Sequence, residues 1–329
     1  MAHELVDPFG REITYLRVSI TDRCNLRCTY CMAEDMEFLP RQQILSLEEI
    51  VQISSAFVAL GVSKIRLTGG EPLIRKGVVG LAQQLSRLDG LDELVMTTNA
   101  TRLKSEAASL ARAGIKRLNI SLDSLQPERF QRLTRCGDLP QVLQGIEAAR
   151  LAGFERLKIN AVILRGENED EVINLAKFAL DRGMDISFIE EMPLGEIDSH
   201  QRSQSQYQSQ SIRERLAADF NLLPTTESTG GPSRYYSANG NENRIGFISP
   251  ISDNFCASCN RVRLTAEGRL LLCLGNEHSL NLKDFVRRYP GDMNALKERI
   301  TEAIAFKPER HYFDPQSTQI LRFMNATGG

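Results

Sequence analysis

Over its first 190 residues the chain repeats one pattern. A short run of alternating apolar and polar side chains is followed by a longer stretch with apolar residues at helical spacing. Six runs alternate with the period of two that marks strands: residues 15–21, 64–68, 93–99, 117–123, 156–164 and 185–192. Helical patterns lie between them. One covers 46–60, where Ser46 and Glu49 carry a capping-box signature, and another covers 168–182. Six β-then-α units in series predict an α/β fold with a parallel sheet and crossover helices. Beyond them, 199–211 is rich in Ser and Gln and reads as a flexible surface linker. The stretch 225–243 is dense in Gly, Ser, Thr and Asn and reads as a second loop. A β-type segment at 244–251 and helical patterns across 281–306 follow. A soft boundary near 195 divides a core, 1–195, from a C-terminal segment, 196–329.

The alternation also has a direction. Arg17, Ser19 and Thr21 share one parity of the first run, Arg66 and Thr68 one of the second. Asn119, Ser121 and Asp123 do so in the fourth and Lys158 and Asn160 in the fifth, while in the third Thr97 shares its parity with Val95, a weaker case. Side chains of one parity face one side of a sheet, so one face is polar across most of its width. Closed eight-stranded barrels fill their lumen with Val, Ile and Leu. Six units with a polar inner face point instead to an incomplete (βα)6 barrel of the TIM type whose lumen holds a hydrophilic small molecule. An open sheet with one solvated face is the alternative, disfavoured because parallel sheets are covered on both sides.

Composition narrows the class. Forty Lys and Arg against 42 Asp and Glu leave a net charge of −2, so no global basic field points to nucleic acid. No apolar run approaches the ~20 residues of a membrane span. The start carries neither a basic nor an apolar leader region, so no signal peptide is expected. Seven cysteines, six of them in two spaced groups, suit metal ligation in a reducing compartment better than a disulfide framework. A cytoplasmic protein is expected.

The chemistry-bearing residues are concentrated. Cys24, Cys28 and Cys31 follow the first strand with the spacing C-x3-C-x2-C and have no fourth cysteine nearby. A structural zinc site normally wants four protein ligands. A four-iron cluster held by three cysteines keeps one iron free for another molecule. Cys256, Cys259 and Cys273 form a second trio, for which a Cys3His zinc site using His278 competes with a second cluster. Cys136 stands apart as an isolated thiol. After the second strand, T-G-G-E-P places Gly69 and Gly70 where a ligand could approach the backbone, although a tight turn alone would also explain them. Arg261 and Arg263, at alternate positions after Cys259, point one way if they lie on a strand. With Arg17, Arg66 and Lys158 they make five cations able to converge on an anionic substrate such as a polyphosphate. No G-x4-G-K-[ST] loop is present, so such a substrate is held by side chains.

The segment T-D-R-C-N-L-R-C-T-Y-C-M resembles the cluster loop of the radical S-adenosylmethionine (SAM) superfamily. Within it, several features are similar to the GTP 3′,8-cyclase family of molybdenum cofactor biosynthesis. They are the second group C-x2-C-x13-C with R-x-R inside it, the terminal Gly328-Gly329, and the strand motifs L-R-V-S-I-T-D-R-C, R-L-T-G-G-E-P-L, N-I-S-L-D-S-L, K-I-N-A-V and F-I-E-E-M-P. The resemblance implies a radical SAM lyase with two 4Fe-4S clusters, one on each cysteine trio. The first cluster would cleave SAM to a 5′-deoxyadenosyl radical that takes the ribose H3′ of GTP, whose C3′ then adds to guanine C8, giving 3′,8-cyclo-7,8-dihydro-GTP. It implies SAM contacts at Tyr30, Gly70, Ser121 and Met192, with the glutamate of T-G-G-E-P at the methionine amino group. It implies GTP contacts at Arg17, Arg66, Thr97, Lys158, Arg261, Val262 (backbone only) and Arg263. Catalytic importance falls on Arg17, Arg261, Arg263, Gly328 and Gly329. The expected partners are a one-electron reductant, a second copy in a homodimer, and a downstream cyclic pyranopterin monophosphate synthase. The chain departs from the family at Ala100, where glycine is common, at Ser187, where a basic residue is common, and in a less apolar tail. The rival readings are a peptide-modifying radical SAM maturase with an auxiliary cluster and a non-catalytic iron–sulfur or zinc regulator.

Overall fold

A computed structural model of the chain describes residues 5–197, 200–314 and 320–329. The six alternating runs are strands β1 (Tyr15–Ser19), β2 (Lys64–Thr68), β3 (Glu93–Thr98), β4 (Arg117–Ser121), β5 (Arg156–Ile163) and β6 (Asp185–Glu190). They lie side by side in chain order, all parallel. Each connection carries helix: α1 (Leu47–Ala59), α2 (Val78–Leu85), α3 (Leu103–Arg112), the pair α4 (Pro127–Thr134) and α5 (Leu139–Leu151), and α6 (Val172–Leu180). The Ser46–Glu49 capping box forms as the sequence predicts, with Ser46 Oγ accepting from Glu49 N and the Glu49 carboxylate accepting from Ser46 N. The apolar parity of each strand faces these helices. Leu16, Val18, Ile65, Leu67, Leu118, Ile120, Ile159 and Ile186 are fully buried in one core with Phe57, Leu81, Leu110, Ile146 and Leu175.

The C-terminal segment extends this sheet at both edges. After two short helices, α7 (Arg202–Ser205) and α8 (Ser209–Leu216), come strands β7 (Leu222–Pro224), β8 (Arg234–Ala238), β9 (Arg244–Ile248), β10 (Arg261–Leu264), β11 (Arg269–Leu271) and β12 (Ser279–Asn281). β9 runs parallel to β6 and β10 parallel to β1. The full order is β12-β11-β10-β1-β2-β3-β4-β5-β6-β9-β8-β7, with β12 and β7 at its two ends. Helices α9 (Leu282–Arg288) and α10 (Met293–Ile304) form where helical patterns are expected, separated where Pro290-Gly291 cannot continue a helix. A last turn, α11 (Met324–Thr327), leads to Gly328 and Gly329.

Two expectations fail. The stretch read as a linker is packed within its described residues, for Arg202, Ser205 and Ser209 are buried. Its hydroxyls and amides serve two buried carboxylates. Ser205 Oγ donates to Glu191 at 2.6 Å, Ser209 N donates to Glu190 at 2.8 Å, and Arg202 donates to the carbonyls of Leu194 and Gly195. Small polar residues satisfy buried charge here rather than facing water. Likewise the loop expected at 225–243 contains β8, whose Tyr235 is buried and whose backbone pairs with β9.

The polar sheet face is covered, not solvated. Ser19, Arg66, Thr68 and Ser187 are all buried on it, and residues from 229–233, 255–275 and 324–329 close over that side. The register puts Arg66, Arg17 and Arg263 in one row across β2, β1 and β10, with Tyr15 opposite Arg261.

Candidate functional site

Two adjoining cavities occupy the polar face, one beneath each cysteine trio. The first is lined by Cys24, Cys28 and Cys31 with Tyr30, Gly70, Glu71, Thr97, Ser121 and Asp123. Its loop is built by continuing the β1–β2 ladder past both strands: Ile20 N donates to Thr68 O at 3.0 Å, Gly70 N to Thr21 O and Glu71 N to Arg23 O, both at 2.8 Å. Arg27 N and Thr29 N then donate to Thr134 O and Leu133 O at the end of α4, and Cys31 N to Cys28 O. Every one of these is a backbone bond, so loop shape depends little on which side chains the loop carries. Gly70 is required by contact, since a Cβ there would lie 2.3 Å from Arg23 O.

Tyr30 Oη donates to Asp123 Oδ2 at 2.7 Å, while Asp123 Oδ1 accepts from Val162 N at 2.8 Å. Glu71, expected at an amino group, has both carboxylate oxygens engaged. Oε1 accepts from Leu73 N and Thr98 Oγ1, and Oε2 accepts from Asn99 N. It ties the end of β2 to the end of β3. Burial nonetheless pushes its pKa up to about 7 against those three bonds.

The second cavity is lined by Cys256, Cys259 and Cys273 together with Arg17, Lys64, Arg66, Lys158, Arg261, Val262 and Arg263. The antiparallel β10–β11 pairing turns the chain back so that Cys273 returns beside Cys259. His278 lies elsewhere, lining a different cavity behind this loop. The histidine that does reach the site is His311, and both its nitrogens are taken, Nε2 by Pro250 O at 2.8 Å and Nδ1 by Phe313 N at 3.2 Å. The Cys3His zinc alternative through His278 therefore finds no support in the geometry.

Each trio fits a cluster better than a point. Among the described residues no three His, Cys, Asp or Glu converge closely enough to hold one metal ion, yet each trio rings an open space. In the first trio burial pushes Cys24 up to about 11 and, reinforced by repulsion from neighbouring thiols, Cys31 up to about 12 and Cys28 well above its ordinary value. Such thiols keep their protons until a bound metal cation displaces them. In the second, burial would raise Cys259, but Lys307 and Arg261 outweigh it and bring that thiol below its ordinary value. Lys307, 3% exposed, donates Nζ to Arg261 O at 2.9 Å and Leu272 O at 2.5 Å, with Cys259 Sγ 3.7 Å away. A lone lysine 34 residues beyond the last cysteine gave no sequence signal.

The wall between the cavities consists of Asn160, Ile189, Met192, Met324 and Gly329, which line both. Thr97 faces the first cavity, though its hydroxyl accepts from Arg66 Nη1 at 3.2 Å. Val262 is buried between the two arginines. The tail enters this chain's own cavity, where Arg17 donates to Gly329 O and Arg263 to Gly328 O. Gly328 has φ +81°, and a Cβ on it would sit 2.0 Å from Thr68 Oγ1. Two polar atoms aimed into the site are buried without partners, Arg17 Nε and Asn160 Oδ1. An anionic and a donor-bearing ligand would satisfy them.

Of the family departures, Ala100 adopts φ +63°, the left-handed conformation that favours glycine. Ser187 Oγ bonds Ser233 Oγ at 2.8 Å, so a loop residue fills the space of a longer side chain.

Residues 18–179 match the model of the Radical SAM superfamily, and 184–313 match Molybdenum Cofactor Synthesis C. The chain is 59% identical to the GTP 3′,8-cyclase of Pseudomonas putida (strain W619) over 99% of its own length and 98% of that protein's. It is 56% identical to the GTP 3′,8-cyclase of Ectopseudomonas mendocina (strain ymp), covering 99% of each. Among solved structures, Streptococcus suis SuiB bound to S-adenosylmethionine superposes with a TM-score of 0.60 at 16% identity, over 89% of this chain and 69% of SuiB, a likeness of fold.

Proposed function

The chain belongs to the GTP 3′,8-cyclase family, radical SAM lyases of molybdenum cofactor biosynthesis, and from that premise we infer how its own residues divide the work. The family uses iron–sulfur clusters and SAM, and GTP is its substrate. Cys24, Cys28 and Cys31 hold the cluster that meets SAM, and Cys256, Cys259 and Cys273 hold the one that meets the guanine. Bound there, the first cluster and SAM supply a hydrogen-abstracting 5′-deoxyadenosyl radical.

The protein's part is to present one ribose to that chemistry. Arg17, Arg66, Lys158, Arg261 and Arg263 bind the triphosphate. The support is the row Arg66–Arg17–Arg263, three guanidiniums held side by side in register, with no Asp or Glu side chain lining the cavity among the described residues. Like charges opposite one another destabilise a sheet, so such a row makes physical sense facing an anion. Tyr30, Gly70, Ser121 and Met192 line the SAM side, with Tyr30 oriented by Asp123. Thr97 and Arg66 meet where the cavities adjoin, and Val262 contributes backbone only. Ile189, Met192 and Met324 make the dividing wall largely apolar around Asn160, limiting water at a reactive centre. Gly328 lies over Ser19 and Thr68 at the ends of β1 and β2, where a Cβ would clash, and Gly329 follows it against Arg17; both act in the same chain.

No helix among the described residues is long and apolar enough to cross a membrane. We place the enzyme in the cytoplasm as a homodimer, supplied by a one-electron donor and followed by cyclic pyranopterin monophosphate synthase. The core 1–195 carries the SAM chemistry and 196–329 most of the substrate contacts. The test is anaerobic incubation of the reduced, cluster-loaded protein with SAM and GTP, followed by mass analysis. A nucleotide isomeric with GTP and carrying the new C3′–C8 bond is expected. Formation of 5′-deoxyadenosine with GTP untouched would refute the assignment.

A further inference from the structure

Six cations, Arg17, Lys64, Arg66, Lys158, Arg261 and Arg263, line the second cavity, and among the described residues no Asp or Glu lines it. Concentrated positive charge of this kind needs a counter-charge when substrate is absent. Lys64 is neutralised from behind by Glu93 at 2.6 Å. Arg17 and Arg263 rest on the tail oxygens, and Lys158 Nζ donates to Tyr235 Oη at 3.2 Å. Arg66 is held differently. Its Nη1 donates to Met96 O and Thr97 Oγ1, both at 3.2 Å, and its Nε donates to the phenol oxygen of Tyr15. Tyr15 is 2% exposed, opens onto the same cavity, and has Lys64 Nζ 5.1 Å from its ring centre.

We propose that Tyr15 is both the positioning residue for Arg66 and the resident counter-anion of the cavity, taking up a proton from solvent when a nucleoside polyphosphate binds. The proposal rests on the GTP reading above and adds a proton linkage to it. The groups facing Tyr15 are cationic on every side. Arg17 lies on its own strand, Lys64 and Arg66 on β2, and Arg261 and Arg263 on β10. The nearest acids are displaced: Glu93 on β3 is paired to Lys64 and Arg117, and the Cys259 thiol sits beside Arg261. Burial by itself would raise the phenol, but Arg66, Arg17 and Lys64 outweigh it and bring the pKa down to about 7. A polyphosphate neutralises those same cations. The phenol then returns toward its ordinary value of 10, and the phenolate present at pH 8 captures a proton.

The test is calorimetry of GTP binding to the cluster-loaded protein in buffers of different ionisation heat, from pH 6 to 8. At pH 8 the free phosphates are already deprotonated, so proton exchange reports the protein. At pH 8 wild type should take up most of a proton per GTP, and the uptake should fall toward pH 6 once the proton that the γ-phosphate itself releases, read from its own titration, is subtracted. Tyr15→Phe should take up close to none and bind GTP about tenfold more weakly, since Arg66 loses its holder. Inorganic tripolyphosphate should reproduce the wild-type uptake. Equal uptake in Tyr15→Phe, or no net proton uptake by wild type at pH 8, overturns the proposal. The second arm needs no variant, so it decides even if Tyr15→Phe fails to fold. Tripolyphosphate binding with proton uptake while GTP fails to bind would preserve the linkage and sink the guanine assignment.

Discussion

Replacing Gly70 with alanine tests whether the cluster loop is positioned by contact with β2. The new Cβ would lie 2.3 Å from Arg23 O, 2.6 Å from Arg23 C and 2.8 Å from Asp22 O. All three are backbone atoms of the two residues leading into Cys24, so no side chain can rotate to make room. Restoring ordinary contact requires the strands' extensions to part by about 1 Å. That movement breaks or stretches Gly70 N→Thr21 O and Glu71 N→Arg23 O, both 2.8 Å. Two such bonds contribute about 1 kcal/mol each, and overpacking adds about 1–3 kcal/mol. A total of about 3–5 kcal/mol is a large fraction of a typical folding stability of ~5–15 kcal/mol. It is released most cheaply if the loop alone moves, because the loop carries little of the apolar core. The sheet and its helices should stay folded while Cys24 leaves its position. Iron analysis after anaerobic reconstitution should fall from about eight to about four per chain, and 5′-deoxyadenosine formation should drop at least a hundredfold, with only a few degrees lost in Tm. Gly80→Ala is the control, since a Cβ there meets nothing within 4 Å and lies inside α2. Its effect should be neutral or stabilising by about 0.5–1 kcal/mol. Full iron loading and normal SAM cleavage in Gly70→Ala would refute the contact argument.

Arg17→Ala and Arg261→Ala should each abolish cyclisation of GTP without lowering iron content, read by nucleotide mass analysis beside iron assay. Normal turnover in both would remove the substrate from this cavity. Cys256→Ala should leave about four irons and an intact SAM-cleaving centre; about four irons plus one zinc in the wild type would instead restore a zinc site. Glu93→Gln removes the partner of Lys64 and Arg117 and should cost about 1–3 kcal/mol near neutral pH. Burial tends to raise the Glu93 carboxyl, but Lys64 and Arg117 hold it below its ordinary 4.5, so its stabilisation exists above that value and is lost as pH falls through the folded pKa. The Tm difference between wild type and Glu93→Gln should therefore shrink below about pH 4.5, and a gap that widens on acidification would contradict the sign. Ala100→Gly should be neutral to stabilising by up to about 1 kcal/mol by thermal melt, because φ +63° costs alanine more than glycine; a clear destabilisation would show that the strain assigned there is absent.

How much of this was legible follows from which interactions are local. Strand alternation and the capping box depend on neighbours a few residues apart, and all six strands appeared where the pattern placed them. The cysteine trios and the polar sheet parity were legible for the same reason. The Ser/Gln stretch was misread because its meaning lies in Glu190 and Glu191, buried carboxylates on another element that turn surface-type residues into interior donors. Tyr15 and Lys307 were invisible as functional residues, since a tyrosine opening a strand and a lysine after a helix look ordinary until the fold sets a guanidinium or a thiol against them.

The arginine row shows the boundary most clearly. R-x-R after Cys259 predicts two cations on one face of a strand, but nothing in the sequence says which strand lies beside it. Pairing β10 in parallel with β1 joins residues about 250 positions apart and sets Arg263 against Arg17 and Arg66. A one-residue slip in that register would turn Arg261 and Arg263 toward the apolar helices and put the Val262 side chain in their place. The buried Val262 and Leu264 lock the pairing in place, so apolar packing on one side of β10 is what holds the substrate's cations together on the other.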